Sequence, residues 1–339
     1  MKIKKIKFIN NVPIKGHKFH EPIDTNPNGF KLFMTAAFIG PPRSGKTLSC
    51  INLAKYLQEN NLITEILIIS PSLDNNPFHV LNIPDENKFT DLDNAKEDLY
   101  TIQQYCKSKV EKWKNMKKTI SEKKYNDYYS KIYKIYKYNI KHPELIYDDD
   151  ELMITDDDME ILEDNKFNKI PFYYRVGPSF LLICDDINGS DVITNNKKHP
   201  LRQIISNHRH CHINLFLLIQ NYTDALPTNV RRLIKQYFLY KFNDLKEVRQ
   251  FYDEIASAYF DSFDQFRELY RDITNVQHNF ILIDNDPKNE NLKVRRNFDE
   301  LIIINISHHI NTQRIHNENN DGCDPKQENH PHIKSATKK

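Results

Sequence analysis

The chain holds only seven glycines in 339 residues, and two of them, Gly40 and Gly45, stand five apart at a junction between an apolar run and an amphipathic one. Leu32 to Ile39 is a short, nearly continuous apolar segment, which fits a buried strand. From Lys46 to Glu59, Leu48, Ile51, Leu53, Ala54 and Leu57 recur at helical spacing. Between them lies Gly40-Pro-Pro-Arg-Ser-Gly-Lys-Thr47, which meets the pattern G-x-x-x-x-G-K-[ST] in the strand–turn–helix context that pattern requires. Glycines let such a loop turn back so that its amides face one centre, and the helix that follows adds its free N–H groups and the positive end of its dipole. The expected ligand is a nucleoside triphosphate, ATP. It is held by Gly40, Pro41, Pro42, Arg43, Ser44, Gly45, Lys46, Thr47 and Leu48, with Lys46 on the β- and γ-phosphates and the Thr47 hydroxyl on Mg2+.

Further short apolar runs follow at intervals. Glu65 to Ser70 and Phe180 to Cys184 read as buried strands, as do Ile213 to Ile219 and Gln236 to Phe242, with a late strand from His278 to Asp284. Helices are expected over Lys198–His210 and Val230–Lys235, and near 244–257 and 261–272. Strands alternating with helices imply an α/β fold with a mostly parallel sheet covered on both faces, and such sheets bind ligands at the carboxyl ends of their strands.

Two more strand ends carry polar residues at that edge. Asp185 and Asp186 follow the run FLLIC, and Gln220 follows INLFLLI. A carboxylate at a buried strand tip suits a nucleotide-bound magnesium, so Asp185 is expected on the metal with Thr47. Asp186 is placed to orient or deprotonate the attacking water, and Gln220 to sense the γ-phosphate. Positive charge for the transferring phosphoryl group has candidates in Arg209, Arg231 and Arg232, among which the residues alone do not choose.

The remaining chain divides by composition. Residues 1–30 read as an irregular lead-in, 31–305 as the P-loop domain, 91–166 as a charged helical insertion within it, and 306–339 as a disordered tail. The insertion begins with long-helix composition to about Ile140, where Tyr125, Tyr129, Ile132 and Tyr136 recur at helical spacing, and it ends in an acidic stretch. Twelve lysines fall between Lys107 and Lys141; contact with a polyanion and a solvated helical face both fit them. Lys293, Arg295 and Arg296 form a smaller basic cluster with the same two readings. His208-Arg-His-Cys-His212 has alternate histidines, but no second ligand pair at finger spacing, and reads better as a helix-to-strand junction than as a zinc site. Net charge is +2, so bulk charge names no partner. The five scattered cysteines fit a reducing compartment, and no run approaches the length of a membrane span.

Four stretches together resemble one family. They are IGPPRSGKT, FLLICDDI, NHRHCHINLFLLIQNYTDALPTNVRRLIKQYFLYKF, and HNFILID with KVRRNF after it, covering about 30–85 and 170–300. The chain resembles the genome-packaging ATPases of large DNA viruses and virophages, the poxvirus-type branch of the FtsK–HerA superfamily. The third stretch carries the specificity through His210, Gln220, Leu226-Pro227 and Arg231. The resemblance implies a RecA-like fold with an extra strand between the P-loop strand and the Asp185 strand. INLFLLI would be that inserted strand, and Glu65–Ser70 would be peripheral. It also implies Arg231 as the finger, a homo-oligomeric ring, with a hexamer favoured, and ATP hydrolysis that moves double-stranded DNA into a capsid. The partners are then DNA and a capsid or portal component, and the place is the virus assembly site in the virion or host cytoplasm, not outside the cell. Other classes remain open: a small-molecule kinase, a helicase-like enzyme, or a nucleotide-dependent scaffold without turnover. No NKxD guanine-reading sequence is present.

Overall fold

The computed structural model describes residues 2–5, 29–128, 176–187, 199–242, 244–287 and 290–303. Ten strands form one sheet: β1 Lys2–Lys5, β2 Thr35–Ile39, β3 Glu65–Ile69, β4 Lys88–Phe89, β5 Phe180–Asp185, β6 Ile213–Ile219, β7 Gln236–Leu239, β8 Ile281–Asp284, β9 Val294–Arg296 and β10 Glu300–Ile303. Their order across the sheet is β1-β10-β9-β8-β7-β2-β6-β5-β3-β4. From β7 to β4 all six strands are parallel. From β7 outward through β8, β9, β10 and β1 each pairing is antiparallel.

The order places β6 between the P-loop strand β2 and the Asp185 strand β5, with β3 outside β5. The inserted strand and the peripheral strand implied by the family resemblance are both present. Every described residue of β2, β5, β6 and β7 is buried, which is why these strands read as unbroken apolar runs.

Alternate residues point to opposite faces, and each face has its own core. One face carries Ala36 and Phe38 of β2, Leu181 and Ile183 of β5, and Phe216 and Leu218 of β6. It packs against helix α1, Lys46–Glu59, through Cys50, Ile51, Leu53, Ala54 and Leu57. The other face carries Ala37 and Ile39, Leu182 and Cys184, and Leu215 and Leu217. Four helices cover it: α2 Ala95–Thr119, α3 Pro200–Asn207, and, after the short turns α4 Tyr222–Ala225 and α5 Thr228–Arg231, α6 Leu245–Glu254 and α7 Phe263–Thr274.

One expectation changes. Residues 1–30 are not wholly an irregular lead-in, because Lys2–Lys5 closes the antiparallel edge by pairing with Glu300–Ile303. The long-helix composition expected to about Ile140 takes the form, among the described residues, of α2 ending at Thr119, where Ile120 adopts an extended backbone, and a separate helical stretch over 122–128. The front of the insertion is part of the core layer, since Leu99, Ile102, Cys106, Val110 and Trp113 of α2 are buried against the sheet face. Tyr129, Ile132, Tyr136, the acidic stretch and the tail 306–339 lie outside the described residues. Among the described residues no helix is long and apolar enough to cross a membrane.

Candidate nucleotide site

The six parallel strands end at one edge, and the residues singled out in the sequence gather there. The P-loop follows β2, Asp185 ends β5, Asp186 follows it, and Gln220 follows β6. Register fixes their level: Asp185 lies opposite Leu218, and Leu218 opposite Phe38. Asp185 is therefore two strands from the P-loop strand, a lateral separation of roughly 10 Å.

The loop geometry follows from its sequence. Gly45 has φ 104°, a left-handed conformation that caps α1 and that any side chain would strain. Gly40 is required for a different reason: a Cβ there would stand 2.6 Å from the Cβ of Tyr240. The first helical bond of α1 runs from Ser49 N to Gly45 O at 3.0 Å, so the amides of Lys46, Thr47 and Leu48 precede the intrahelical ladder and are free to donate to an anion. Leu48 contributes through its backbone, since its side chain is 55% exposed. Pro41 and Pro42 lack N–H groups and shape the loop instead. Lys46 Nζ donates to the carbonyls of Gly40 at 2.7 Å and Pro41 at 2.9 Å.

Across the edge, Asp185 is buried and accepts a hydrogen bond from Asn76 Nδ2 at 3.0 Å, with the Ser70 hydroxyl also bonded to it. Burial, aided by the charge of Asp186, lifts its carboxyl to about 6 against the pull of Lys46. Burial likewise lowers Lys46 to about 8, while Asp185 and Asp186 draw it back up. Both groups are costly as ions where they stand. Asp186 adopts a left-handed backbone, φ 52°, one that Asp tolerates, and its Oδ1 accepts from Gln220 Nε2 at 3.2 Å.

These residues fit a polyphosphate with magnesium. The Ser44 hydroxyl is buried without a hydrogen-bond partner beside the free helix amides, and a buried carboxylate raised to about 6 is a group that a cation would restore to its charged form. Mg2+ is characteristically held by one or two protein oxygens together with phosphates and waters, which one strand-tip carboxylate and Thr47 suit.

Arg231 needs correction as the finger. Its side chain is 5% exposed and its guanidinium is fully engaged. Nε and Nη2 donate to the two oxygens of Glu254 at 2.8 and 2.9 Å, Nη1 to the Leu226 carbonyl at 2.6 Å, and Nη2 to Thr228 Oγ1 at 3.0 Å. It stacks over the Tyr222 ring and ties the segment after β6 to α6. With its donors spent inside the chain, it has none for a phosphate. Arg209 is exposed and paired with Asp286 at 2.7 Å, and Arg232 is exposed. Both lie just before the amino ends of β6 and β7, away from this edge.

The His208–His212 run is the turn from α3 into β6. His208 Nδ1 bonds the Ile205 carbonyl, His212 Nδ1 bonds the Pro178 carbonyl, and the His212 ring stacks on Phe33. In the smaller basic cluster, Arg295 is fully buried beside Asp284, and Arg296 pairs with Glu300, so neither is set out for a polyanion.

Sequence reasoning missed one part of the edge. A cavity of about 320 Å3 adjoins the outer side of the P-loop, lined by Arg43, Lys241, Asn275, Gln277, His278 and Asn279 among others. His278 has φ 67°, its Nδ1 lies 3.3 Å from the Ser44 carbonyl, and its ring limits the space at Gly45. The only available signal was the polar run Asn275–Asn279 just before a predicted strand, which says nothing of its neighbour some 230 residues earlier.

No protein-family model matches the sequence, and no curated protein matches it. Solved structures do resemble the fold. The genome packaging NTPase B204 from Sulfolobus turreted icosahedral virus 2, in complex with AMP, is 12% identical with TM-score 0.41, over 78% of this chain and 96% of that one. The pCW3 conjugation coupling protein TcpA, in its monomer form with ATPgS, is 11% identical with TM-score 0.41, over 87% and 67%. EssC (ATPases 2 and 3) from Geobacillus thermodenitrificans is 13% identical with TM-score 0.42, over 79% and 38%. A viral genome-packaging NTPase thus stands among the structural neighbours. At these identities and scores the likeness concerns fold and carries no functional argument.

Proposed function

We propose that this chain is an ATP-driven motor that moves double-stranded DNA into a viral capsid, working as a ring of copies. One observation carries the reading: β6 stands between the P-loop strand and the Asp185 strand and presents Gln220 to Asp186. That inserted strand with a terminal glutamine is what the sequence resemblance to the packaging ATPases implies. It gives the chain a group able to register the γ-phosphate, which nucleotide binding alone does not need.

In this reading the amides of Lys46, Thr47 and Leu48 and the Lys46 ammonium grip the triphosphate, and Lys46 exchanges its loop carbonyls for phosphate oxygens. Thr47 and Asp185 would hold magnesium, which would supply neutralisation of charge on the phosphate oxygens. The adenosine end occupies the cavity beside Arg43 and His278. Gln220 orients a water, whose oxygen bonds to the γ-phosphorus as the bridging bond to the β-phosphate breaks. Asp186 takes the water's proton, and ADP and inorganic phosphate leave. The arginine that stabilises the transferring group is not Arg231 of any copy, since its donors are engaged inside its own chain. A ring would supply it from a neighbour.

The test is ATP turnover by the purified chain with and without double-stranded DNA. Turnover stimulated by DNA and abolished in Lys46→Ala supports the motor. Turnover only in the presence of a small phosphoryl acceptor points to a kinase. Tight ATP binding with no phosphate release, DNA or not, rejects the motor in favour of a scaffold.

A further inference from the structure

Two features of the sequence have no part in the nucleotide chemistry: the lysine-rich stretch and the exposed members of the His208–His212 run. The fold brings them to one place. Tyr105 of α2 hydrogen-bonds Glu65, the first residue of β3, and its ring meets Phe180, the first residue of β5. Trp113 meets His212, just before β6, at 5.3 Å. The second half of α2 therefore runs along the amino ends of three parallel strands. The P-loop lies at their carboxyl ends, on the order of 20 Å away for strands of this length.

Lys107, Lys114 and Lys118 are exposed and fall at i, i+7 and i+11, one line along that half of α2. Their axial span is about 16 Å. The line borders the α3–β6 turn, where His210 and Arg209 are exposed. Closeness is evident in the turn's own groups. Burial lowers His212 to about 4, and the nearby charges of Lys114 and His210 push the same way. Burial raises the Cys211 thiol, and Lys107 and Lys114 pull it back.

We infer that this face, with Lys107, Lys114 and Lys118 at its centre and His210 at its border, is where the chain holds the phosphate backbone of double-stranded DNA. The inference rests on the motor reading for its choice of polyanion and adds the surface, on the edge opposite the nucleotide. Other charges facing it are few. Glu111 lies on the lysine line, Glu122 acts on Lys117, and Asp286 is shared by Lys31 and Arg209, offsetting one of their two charges. The lysine line keeps a net positive charge after these are counted. Lysines set on a rigid helix without exposed aromatics between them suit a duplex exterior, since single strands are bound by stacking of bases on aromatic rings. Trp113, the one aromatic residue between Lys107 and Lys118, is buried. A duplex carries about one charge per 1.7 Å of axis, so a span of about 16 Å meets several phosphates whatever the sequence.

The experiment measures binding of the full chain to a short random-sequence duplex at equilibrium, without ATP, across a salt series. The triple variant Lys107→Gln/Lys114→Gln/Lys118→Gln is compared with wild type and with Lys55→Gln/Lys246→Gln/Arg271→Gln. The second triple removes the same charge from exposed positions elsewhere. Expected are a loss of about tenfold or more in affinity at fixed salt and a fall of roughly 2 to 3 in the slope of log K against log salt for the first triple alone. ATP turnover without DNA is expected at the wild-type level in both. A wild-type slope in the first triple, or equal losses in both triples, overturns the inference. So does a wild-type chain that binds polyglutamate but not DNA, which would assign the face to an acidic protein surface. The failures are separable: DNA held through this face by a chain that never hydrolyses ATP sinks the motor and leaves the inference standing.

Discussion

Gln220 Nε2 lies 3.2 Å from Asp186 Oδ1, so the amide beyond β6 and the carboxylate beyond β5 hold one another across adjacent strands. In the proposed reaction the amide steadies the carboxylate for a water between them. Asp186→Asn keeps the shape but not the basicity. It is expected to leave ATP affinity unchanged and to cut turnover by about 10²- to 10⁴-fold, measured as nucleotide binding against phosphate release. Gln220→Ala is expected to lose less, roughly tenfold to a hundredfold, because it removes orientation rather than the base. Wild-type turnover in Asp186→Asn would remove that residue from the chemistry.

Asp185 gives a pH dependence. Its folded carboxyl stands at about 6, above the ordinary 3.8, so the folded chain holds this proton more tightly than the unfolded one. Its stabilising effect is complete below about 3.8 and disappears as pH rises through about 6. Without nucleotide or metal, Asp185→Asn should therefore be the more stable protein near pH 8, by on the order of 1–3 kcal/mol, and should lose that advantage near pH 4. Thermal unfolding at the two pH values checks this. The same variant should show no stabilisation of its nucleotide complex by magnesium. An unchanged melting temperature near pH 8 would mean the carboxylate is not strained by burial.

Arg231 is expected to fail as a clamp rather than as a catalyst. Arg231→Ala leaves Glu254 without its ion-pair partner and takes the Arg231 donor from three main-chain carbonyls. A loss of about 3–5 kcal/mol in denaturant unfolding is expected. A finger would behave in the opposite way, with native stability and a large drop in kcat.

The cavity beside the P-loop separates two parts of the ligand. Asn275→Ala with Gln277→Ala should raise KM for ATP several-fold with kcat little changed, and should leave the affinity for inorganic triphosphate as it was. Equal loss for ATP and triphosphate would place the adenosine elsewhere.

The parallel half of the sheet was legible because burial on both faces leaves continuous apolar runs. Ile213–Ile219 and the helix Lys46–Glu59 match their sequence boundaries residue for residue. In the antiparallel half only β8 was legible, as the apolar run ending at Asp284. β9 has three residues, and β1 reads Lys-Ile-Lys-Lys, too short and too charged for a period to emerge. The place of the glycine loop and of the strand-tip residues at one edge of the sheet was legible because each abuts a strong apolar run. Arg231 was misread because a sequence shows an arginine but not how many carbonyls surround it. His278 was missed because its partner, Ser44, is distant in the chain, and only the neighbouring ends of β2 and β7 bring the two together.

The segment from Gln220 to Arg231 has no slack. Immediately past the glutamine, the Tyr222 amide is bonded to Glu247 at 2.7 Å and the Tyr222 hydroxyl to Glu254 at 2.9 Å, both on α6. Arg231 fastens the far end of the segment to the same Glu254. In the proposed motor, a shift of Gln220 on loss of the γ-phosphate would meet no loose loop in which to dissipate and would reach α6 as rigid leverage, the twelve residues from Gln220 to Arg231 behaving as a connecting rod.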